Sequence, residues 1–506
     1  MFALTREEMR RIDQYAINTI GIPGLVLMEN AGRSAASLLL EQDKTPKRWL
    51  IIAGKGNNGG DGVVMARHLA EAGHEADVVY PEGEGALNGD GQTQRTIAEA
   101  YPIRFLDEEE RVNWQAYDGI VDAMLGTGAS GDPREPYASW IEAANGSGLP
   151  ITALDIPSGL DADTGSVGTP CIEAVQTAAL AYTKRGLEQY PGKGCAGKVS
   201  VCTIGLPEDE AARHDVRTFI GTKAAIEALY GRNRLYPARD AEANKGNYGH
   251  ALIAAGTWRM NGAGLLTAAA CLRMGAGLTT WAMPDALLPI AAGKQPELMY
   301  APLADNGTGD WTSITADDVI SQAEGKAVLA IGPGLGRWDG DTAWLEQIWK
   351  ETDCPLVVDA DALNMLAEGS GEQFPKRNRP VILTPHPGEM ARLTGQSIKS
   401  VQADRVEAAK RLARDRHATI VLKGAATVTA TPDGTAVINT TGNPGMATGG
   451  TGDVLAGMTA SLVAQGYEPE AAAVCAVWLH GEAGDRAAYA HSHPRSLTAG
   501  DIIQAL

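Results

Sequence analysis

The 506-residue chain is poor in aromatic side chains, which make up 5% of it and include four Phe. A core built on large rings is excluded, and the 60 Gly together with abundant Ala favour tight loops and close helix–sheet packing. Cations are in deficit: 43 Lys and Arg face 62 Asp and Glu, a net charge of −19. Such a field repels nucleic acid and anionic membrane, so neither is expected as a partner. An anionic nucleotide would have to be held locally, by backbone N–H groups, a few cations or a metal. Cysteine is scarce too: the six, Cys171, Cys195, Cys202, Cys271, Cys354 and Cys475, include no C-x-x-C pair and suggest no disulfide framework. Reduced thiols are expected. No uninterrupted apolar run reaches the roughly 20 residues that span a bilayer, and the opening MFALTREEMRRIDQ lacks an apolar signal core. The expectation is a soluble, cytoplasmic protein.

What is present is 44% hydrophobic and 21% charged, enough for large cores, and the length allows two large α/β domains or three ordinary ones. Met9, Ile12, Tyr15 and Ala16 recur at helical spacing, and a second helix is predicted after Gly24, through LVLMENAGRSAASLLL. Then short apolar strands run repeatedly into glycine or aspartate before a helix: WLIIAG (49–54), GIVDAMLG (119–126), ITALDIPSG (151–159), AVLAIGPGLG (327–336), PLVVDADALN (355–364), VILTPHPGE (381–389) and TIVLKGAATV (419–428). Continuous apolar strands alternating with helices predict parallel sheets covered on both faces, with ligands beyond the carboxyl ends of the strands. The polar segment IGLPEDEAARHDVRT (204–218) is the best boundary, giving domains of 1–213 and 222–506.

In the first half, the glycine-rich turn AGKGNNGGDG can bring bare N–H groups to an anion, although it is neither a Walker A loop nor the usual G-x-G-x-x-G. Asn57, Asn58 and Asp61 share that turn, Asp122 and Asp155 each end a strand, and Ser158 follows in DIPSG. These are hard oxygen ligands, suited to K⁺, Na⁺ or Mg²⁺ rather than zinc. Taken singly, the glycines make a tight turn and either aspartate a helix N-cap. In the second half, NPGMATGGTGDVLAG (443–457) opens a helix with Asp453 in its first turn. Such a helix start can stabilise a phosphoryl group in flight, and a carboxylate there can take the proton from an attacking hydroxyl. Otherwise Asp453 only complements the helix dipole, worth about 0.3–1 kcal/mol.

AGKGNNGGDGVVMARHL, VDAMLGTG, ALDIPSGLDADTG, KRGL and GKVSVCTIGLP resemble the N-terminal domain of the NAD(P)H-hydrate epimerase family, and RRIDQYAINTIGIPGLVLMENAGRSAA its N-terminal helices; the likeness covers essentially residues 1–210. It implies a Rossmann-like three-layer α/β/α fold. It implies substrate contacts at Asn57, Asn58, Gly59, Gly60 and Asp61, along Gly126, Thr127, Gly128, Ala129, Ser130, Gly131 and Asp132, and at Asp155. It further implies a K⁺ site at Asn58, Asp122 and Ser158, with Asp155 as acid/base for epimerisation at C6 and Lys184 assisting. The loop GTGASGDPREP is less typical than its neighbours, and Arg134 is left unassigned.

From about residue 237 onward, KGNYGHALIAAG, GAGLLTAAACLRMGAGLTTWAMP, IGPGLG, VVDADALN, LTPHPGEMARL, VLKGAATVTATPDG and TGGTGD resemble the ADP-dependent (S)-NAD(P)H-hydrate dehydratase domain, of ribokinase-like fold. By that resemblance Ala263, Gly336 (or its neighbour Gly334) and His386 line the hydrated nicotinamide nucleotide, and Asp453 meets its hydroxyl. Lys423, Gly424, Ala425, Ala426, Thr427, Asn443, Gly445, Gly449, Gly450, Thr451 and Gly452 hold ADP or AMP, with Mg²⁺ expected on phosphoryl-transfer grounds. His386 alone reads as a loop or capping histidine; Lys245 and Lys423 could offset phosphate charge, with surface lysine the default for each; Asp359 and Asn364 read as structural, supporting or metal-linked, and Trp258 has no assigned role. The implied chemistry turns a poor leaving group into phosphate: ADP phosphorylates the 6-hydroxyl and elimination restores NAD(P)H. A homo-oligomer is expected. The competing reading is a vitamin or sugar kinase joined to a non-catalytic N-terminal binding module; TPHPGEM and the KGAAT loop weigh against it.

Overall fold

The computed structural model describes residues 1–83, 87, 89–106, 112–207, 209–491 and 493–506. Its chain forms two compact units, Met1–Thr218 and Phe219–Leu506. The six cysteines are free. Among the described residues no helix is long and apolar enough to cross a membrane.

The strands of the first unit are β1 (Ala3–Leu4), β2 (Arg48–Ala53), β3 (Glu75–Val79), β4 (Ile103–Leu106), β5 (Gly119–Ala123), β6 (Ile151–Leu154), β7 (Gln176–Leu180), β8 (Thr183–Lys184) and β9 (Lys198–Cys202). Seven of them make a sheet in the order β4-β3-β2-β5-β6-β7-β9, parallel throughout. Successive residues of β2 point to opposite faces. Trp49, Ile51 and Ala53 join a core with the helices Arg6–Tyr15, Gly24–Gln42 and Asn57–Glu71, while Leu50 and Ile52 join another with the helix Tyr137–Gly146. Both faces are buried, which is why the strands read as unbroken apolar runs rather than alternating ones. Strand order reverses between β2 and β5, so a crevice opens beyond their carboxyl ends. The small pair β1–β8 sets Leu4 opposite Lys184 and ties the N-terminus to the same edge.

The segment 204–218 is more than a polar linker. Val216 and Ala211 belong to the first unit's core, and Glu210 is fully buried beside Arg213. Glu208, within that segment, lies outside the described residues.

The second unit has β10 (Thr218–Gly221), β11 (His250–Ala254), β12 (Leu278–Pro284), β13 (Met299–Leu303), β14 (Val328–Ile331), β15 (Leu356–Val358), β16 (Val381–Leu383), β17 (Thr419–Leu422), β18 (Val428–Ala430) and β19 (Ala436–Asn439). They form one sheet, ordered β10-β19-β18-β17-β16-β15-β14-β11-β12-β13. Pairing is parallel from β13 to β17 but antiparallel for β17–β18 and β18–β19, which corrects the expectation of parallel pairing. The reason is length: the links 423–427 and 431–435 can turn a hairpin but cannot make a crossover, which needs about a dozen residues. Ala251 and Ile253 pack with the helices Asn261–Arg273, Thr451–Ala464 and Pro469–Ala490, and Leu252, Leu329 and Leu383 on the opposite face are also fully buried. Here the order reverses between β11 and β14.

Close helix–sheet packing in this unit depends on Gly264. A Cβ there would lie 2.4 Å from the ring of Trp281, a core side chain whose indole N–H donates to the Ala255 carbonyl at 2.8 Å. Gly264→Ala gains about 0.5–1 kcal/mol of helix propensity but overpacks the core by about 1–3 kcal/mol. Calorimetry is expected to show the second unit melting earlier with the first unit's transition unmoved; an unchanged or raised melting temperature would contradict this packing.

Candidate active sites

Beyond β2, β5 and β6 the first unit has a cavity of about 670 Å³, lined by Asn57, Asn58, Asp61, Gly126, Thr127, Gly128, Ala129, Asp155 and Lys184, among others. The turn after β2 approaches the turn after β5 closely: a Cβ on Gly54 would stand 1.9 Å from the Met124 carbonyl, so glycine is required. The helix Asn57–Glu71 then starts at Gly56 with no side-chain cap, and Gly56, Asn57 and Asn58 line the cavity. Asn57, Asn58 and Asp61 form wall; Gly59 and Gly60 lie buried behind it, against Gly54 and Met28. The loop after β5 divides. Gly126–Ala129 line the main cavity, whereas Ser130, Gly131 and Asp132 line an adjoining one of about 290 Å³ that shares Leu125, Gly126 and Ala129 with it.

Asp155 ends β6 in the left-handed region, at φ 64°, which aspartate tolerates better than most residues. Its Oδ1 accepts from the Leu180 N–H at 3.1 Å and from the Lys184 ammonium. Lys184, with its side chain 1% exposed, also donates to the Leu180 carbonyl at 3.0 Å. Two further carboxyls face this pair. Burial, then repulsion from Asp155 and Asp13, drives Asp61 well above the usual carboxylate range. Burial also pushes Asp13 up to about 6, against the pull of Lys184. Asp13 escaped the sequence reading because an aspartate within RRIDQY has the pattern of a solvated helix face.

Asp122 is fully buried. Its carboxylate accepts from the Ser158 N–H at 2.7 Å, the Ser158 hydroxyl at 2.6 Å and the Met124 N–H at 3.2 Å, yet burial still raises it to about 6. Asn58 donates through Nδ2 to the Leu125 carbonyl at 3.3 Å, while its Oδ1 is buried without a hydrogen-bond partner among the described residues. Asn58, Asp122 and Ser158 therefore converge around Leu125, with one acceptor left over.

In the second unit the glycine turn 449–452 leads into the helix Thr451–Ala464, whose first turn carries Asp453. Lys423, at the end of β17, donates to Asp359 Oδ1 at 2.6 Å and comes within 3.9 Å of Glu389. It lies against the turn, since a Cβ on Gly452 would be 3.4 Å from its ammonium. Burial works against its charge, but Asp359 and Glu389 hold it above the ordinary lysine value. It is no surface lysine, whereas Lys245 is exposed. Burial and Asp359 raise Asp453 to about 6, and burial raises Glu389 to about 7.

Ala263 packs on Gly334, while Gly336 is more open and donates its N–H to Asp361 at 2.8 Å. His386 caps the helix Pro387–Thr394: Nδ1 accepts from the N–H groups of Gly388 and Glu389, and Glu389 accepts from the His386 N–H at 2.7 Å. Burial and Lys423 lower the imidazole, and the Nδ1 bonds put its proton on Nε2, where half of the side chain is exposed. The capping reading thus holds, and Nε2 itself lies 3.3 Å from Glu389 Oε1.

Gly424 and Ala425 are exposed, and Thr427 donates back to the Gly424 carbonyl at 2.8 Å. The base of that loop hangs on the buried Arg405, which donates to the carbonyls of Leu422 at 3.0 Å and Lys423 at 3.3 Å. Asn443 caps the turn Pro444–Met446 and donates to Asp485 at 2.9 Å; Gly445 packs beneath, against Pro494. The Thr451 hydroxyl donates to the carbonyls of Met446 and Thr448, closing the turn around Gly449 and Gly450. Asn364 accepts from Arg392 at 2.8 Å, a structural contact, and Trp258 is 54% exposed beside Gly309. Neither Arg405 nor Asp485 stands in a recognisable motif, so sequence reading passed over both.

Two family models match the chain: one described as YjeF-related protein N-terminus over residues 24–186, the other as NAD(P)H-hydrate dehydratase over residues 251–506. A solved structure, the ADP/ATP-dependent NAD(P)H-hydrate dehydratase of Bacillus subtilis co-crystallised with ATP and Mg²⁺, is 34% identical, with a TM-score of 0.49 over 57% of this chain and 95% of that one. A bifunctional NAD(P)H-hydrate repair enzyme of Moorella thermoacetica is 39% identical over 100% of this chain and 96% of that relative. Another from Thermofilum pendens is 37% identical over 95% and 91% respectively. With two strand-end clusters in two units and this similarity along its whole length, the chain belongs to the family of bifunctional NAD(P)H-hydrate repair enzymes.

Proposed function

We propose that the first unit interconverts the R and S epimers of hydrated NADH and NADPH at C6, and that the second dehydrates the S form with ADP, releasing AMP and phosphate. The observation that carries this reading is the full-length similarity to relatives named for bifunctional repair. Incubation of hydrated NADH with the protein is expected to restore reduced-nicotinamide absorbance only when ADP is added. Release of a phosphorylated product without recovery of NADH would favour the sugar-kinase alternative.

C6 of the hydrated ring bears both the hydroxyl and N1, so the N1 lone pair can expel hydroxide if an acid protonates it. Water returning to the opposite face of the planar cation inverts the centre. Asp61, whose carboxyl burial raises well above the usual range, suits the acid's task, and Asp155, anchored by Lys184, suits that of base toward the returning water. In the second unit Asp453 takes the 6-hydroxyl proton, the oxygen attacks the β-phosphorus of ADP and AMP departs. N1 then expels phosphate from C6 as a proton leaves C5. The turn 449–452 and Lys423 offset the charge developing on the phosphoryl oxygens. Asp155→Asn is expected to abolish epimerisation and spare dehydration of the S form. Asp453→Asn is expected to do the reverse, with a loss in kcat of about 10²–10⁴-fold. Equal loss of both activities in either variant would sink the assignment of separate sites.

A base must be ionised. With Asp453 pushed up to about 6, kcat/KM for dehydration is expected to be flat above that pH and to fall about tenfold per unit below it. A flat acid limb would remove Asp453 as the base.

A monovalent cation suits the first site because the orphaned Asn58 Oδ1, the Leu125 carbonyl, the Ser158 hydroxyl and one buried carboxylate, Asp122, form a hard donor set of single negative charge. K⁺ bound there would compensate the buried charge of Asp122. Protons compete for the same carboxylate, whose raised value of about 6 leaves it ionised above that pH and neutral below it. K⁺ is therefore expected to raise the first unit's melting temperature well above pH 6 and to lose that effect well below it, with Li⁺ as the control. A K⁺ effect independent of pH would contradict the Asp122 assignment. In the second unit Asp359 and Asp361 can share Mg²⁺ with phosphate and water, where it would neutralise charge between the phosphates. Among the described residues no group of three or more His, Cys, Asp or Glu could hold a metal ion by itself.

A further inference from the structure

Among the described residues four cations line the first unit's cavity: Arg6, Arg10, Lys55 and Lys184. Three are committed. Arg6 pairs with Asp161 at 2.5 Å and Asp163 at 3.0 Å, Lys55 with Glu82 at 2.9 Å, and Lys184 with Asp155. Arg10 has no ion-pair or hydrogen-bond partner among the described residues, although Asp13, Asp61, Asp90 and Asp155 share the cavity. An arginine on an exposed helix face ordinarily needs no explanation. This one lines the same cavity as the uncapped helix start at Gly56–Asn58, whose free N–H groups attract an anion.

We infer that Arg10 binds the substrate of the first unit's site, its guanidinium taking the pyrophosphate of the hydrated dinucleotide opposite the helix start at Gly56–Asn58. The inference rests on the epimerase reading and adds to it a residue outside the glycine-rich motif.

The fold fixes where Arg10 points. β1 pairs beside Lys184, and the helix Arg6–Tyr15 begins at once with a Thr5–Glu8 capping box. The Arg6 N–H donates to Asp163 at 2.6 Å, and Glu8 pairs with Arg185 at 3.3 Å. The helix cannot turn about its axis without breaking these contacts. Asp13 is three residues on from Arg10, hence on the same face, and it senses both Lys184 and Asp155. Arg10 is therefore one helical turn from the reacting cluster. The pyrophosphate is one ribose removed from the hydrated ring; the 2′-phosphate of the NADPH form lies beyond the pyrophosphate and a second ribose. The nearer phosphates are the ones within reach. A guanidinium with no acid partner is also the group best placed to offset substrate charge in a cavity holding four carboxyls.

The test uses the full chain. Epimerisation of the R forms of hydrated NADH and hydrated NADPH is followed through dehydration of the S form with ADP, in the wild type, Arg10→Gln and Arg10→Lys. Loss of one charge-assisted bond is expected to raise KM about tenfold or more for both substrates in Arg10→Gln, with kcat unchanged and a weaker dependence of KM on salt. Arg10→Lys is expected to recover much of the loss, and dehydration of pure S form to be untouched in both variants. An unchanged KM, a loss confined to the NADPH form, or a fall in kcat at constant KM would each overturn the assignment. A wild-type chain that epimerises neither substrate would sink the epimerase reading, and this assignment with it.

Discussion

A parallel sheet with both faces buried leaves little room for ionisable side chains along its strands, and one that lies there, Asp77 in β3, is held by Arg48 and by the Tyr117 hydroxyl. Most other charged groups gather at or beyond the strand ends, where they are only partly hydrated. In both units this constraint produces the same physical object, a desolvated ammonium held by a desolvated carboxylate: Lys184 on Asp155, and Lys423 on Asp359. Neither partner is stable there alone, because removing one would leave an uncompensated buried charge. Four acids near the two pairs are perturbed as well. Asp13 and Asp61 in one unit, and Asp453 and Glu389 in the other, all rise above the ordinary carboxylate range, with burial as the leading cause. Carboxyls able to exchange protons near neutrality are thus a consequence of the sheet architecture, and the chemistry draws on them.

Precise placement comes from backbone contacts at unusual positions. Asp155 adopts a left-handed conformation, and Gly54 lets two strand-end turns meet. Hydrogen bonds at a distance from the reacting groups do the rest. Arg405 holds the carbonyls at the root of the Lys423 loop, and Asp485 holds Gly442 and Asn443 in the facing turn. The exposed loops 424–427 and 443–450 can then follow a nucleotide while their roots stay fixed.

Local pattern made the strand–loop–helix units legible, because apolar runs ending in glycine or aspartate follow directly from burial on both faces. It also marked Asp122, Asp155 and Ser158, each of which sits at a strand end. What it left unread depends on contacts between distant segments. Asp13 and Arg10 look like solvent-facing charges until β1 is known to pair beside Lys184. Resemblance alone places Lys423 with the nucleotide; read by itself it is a surface lysine, because nothing near it in sequence announces Asp359. The antiparallel end of the second sheet went unread although the link between β17 and β18 is too short for a crossover, the one miss for which a sequence signal existed.

The two sites differ in how much charge they must balance, and that difference separates the cations proposed for them. In the first unit one buried carboxylate, Asp122, meets neutral oxygens from Asn58, Ser158 and Leu125, so a single positive charge suffices and a large, weakly hydrated ion fits the donor set. In the second unit Lys423 is already committed to Asp359, which leaves Asp361, Asp453 and Glu389 as acids in the place proposed to accept the phosphates of ADP. One ammonium cannot balance that sum. A divalent ion entering with the nucleotide can, and it would lower the cost of ionising Asp453 at the moment its charge is needed. The glycine turns of both units can hold phosphate; the carboxylates left over around each turn decide whether that phosphate is gripped or transferred.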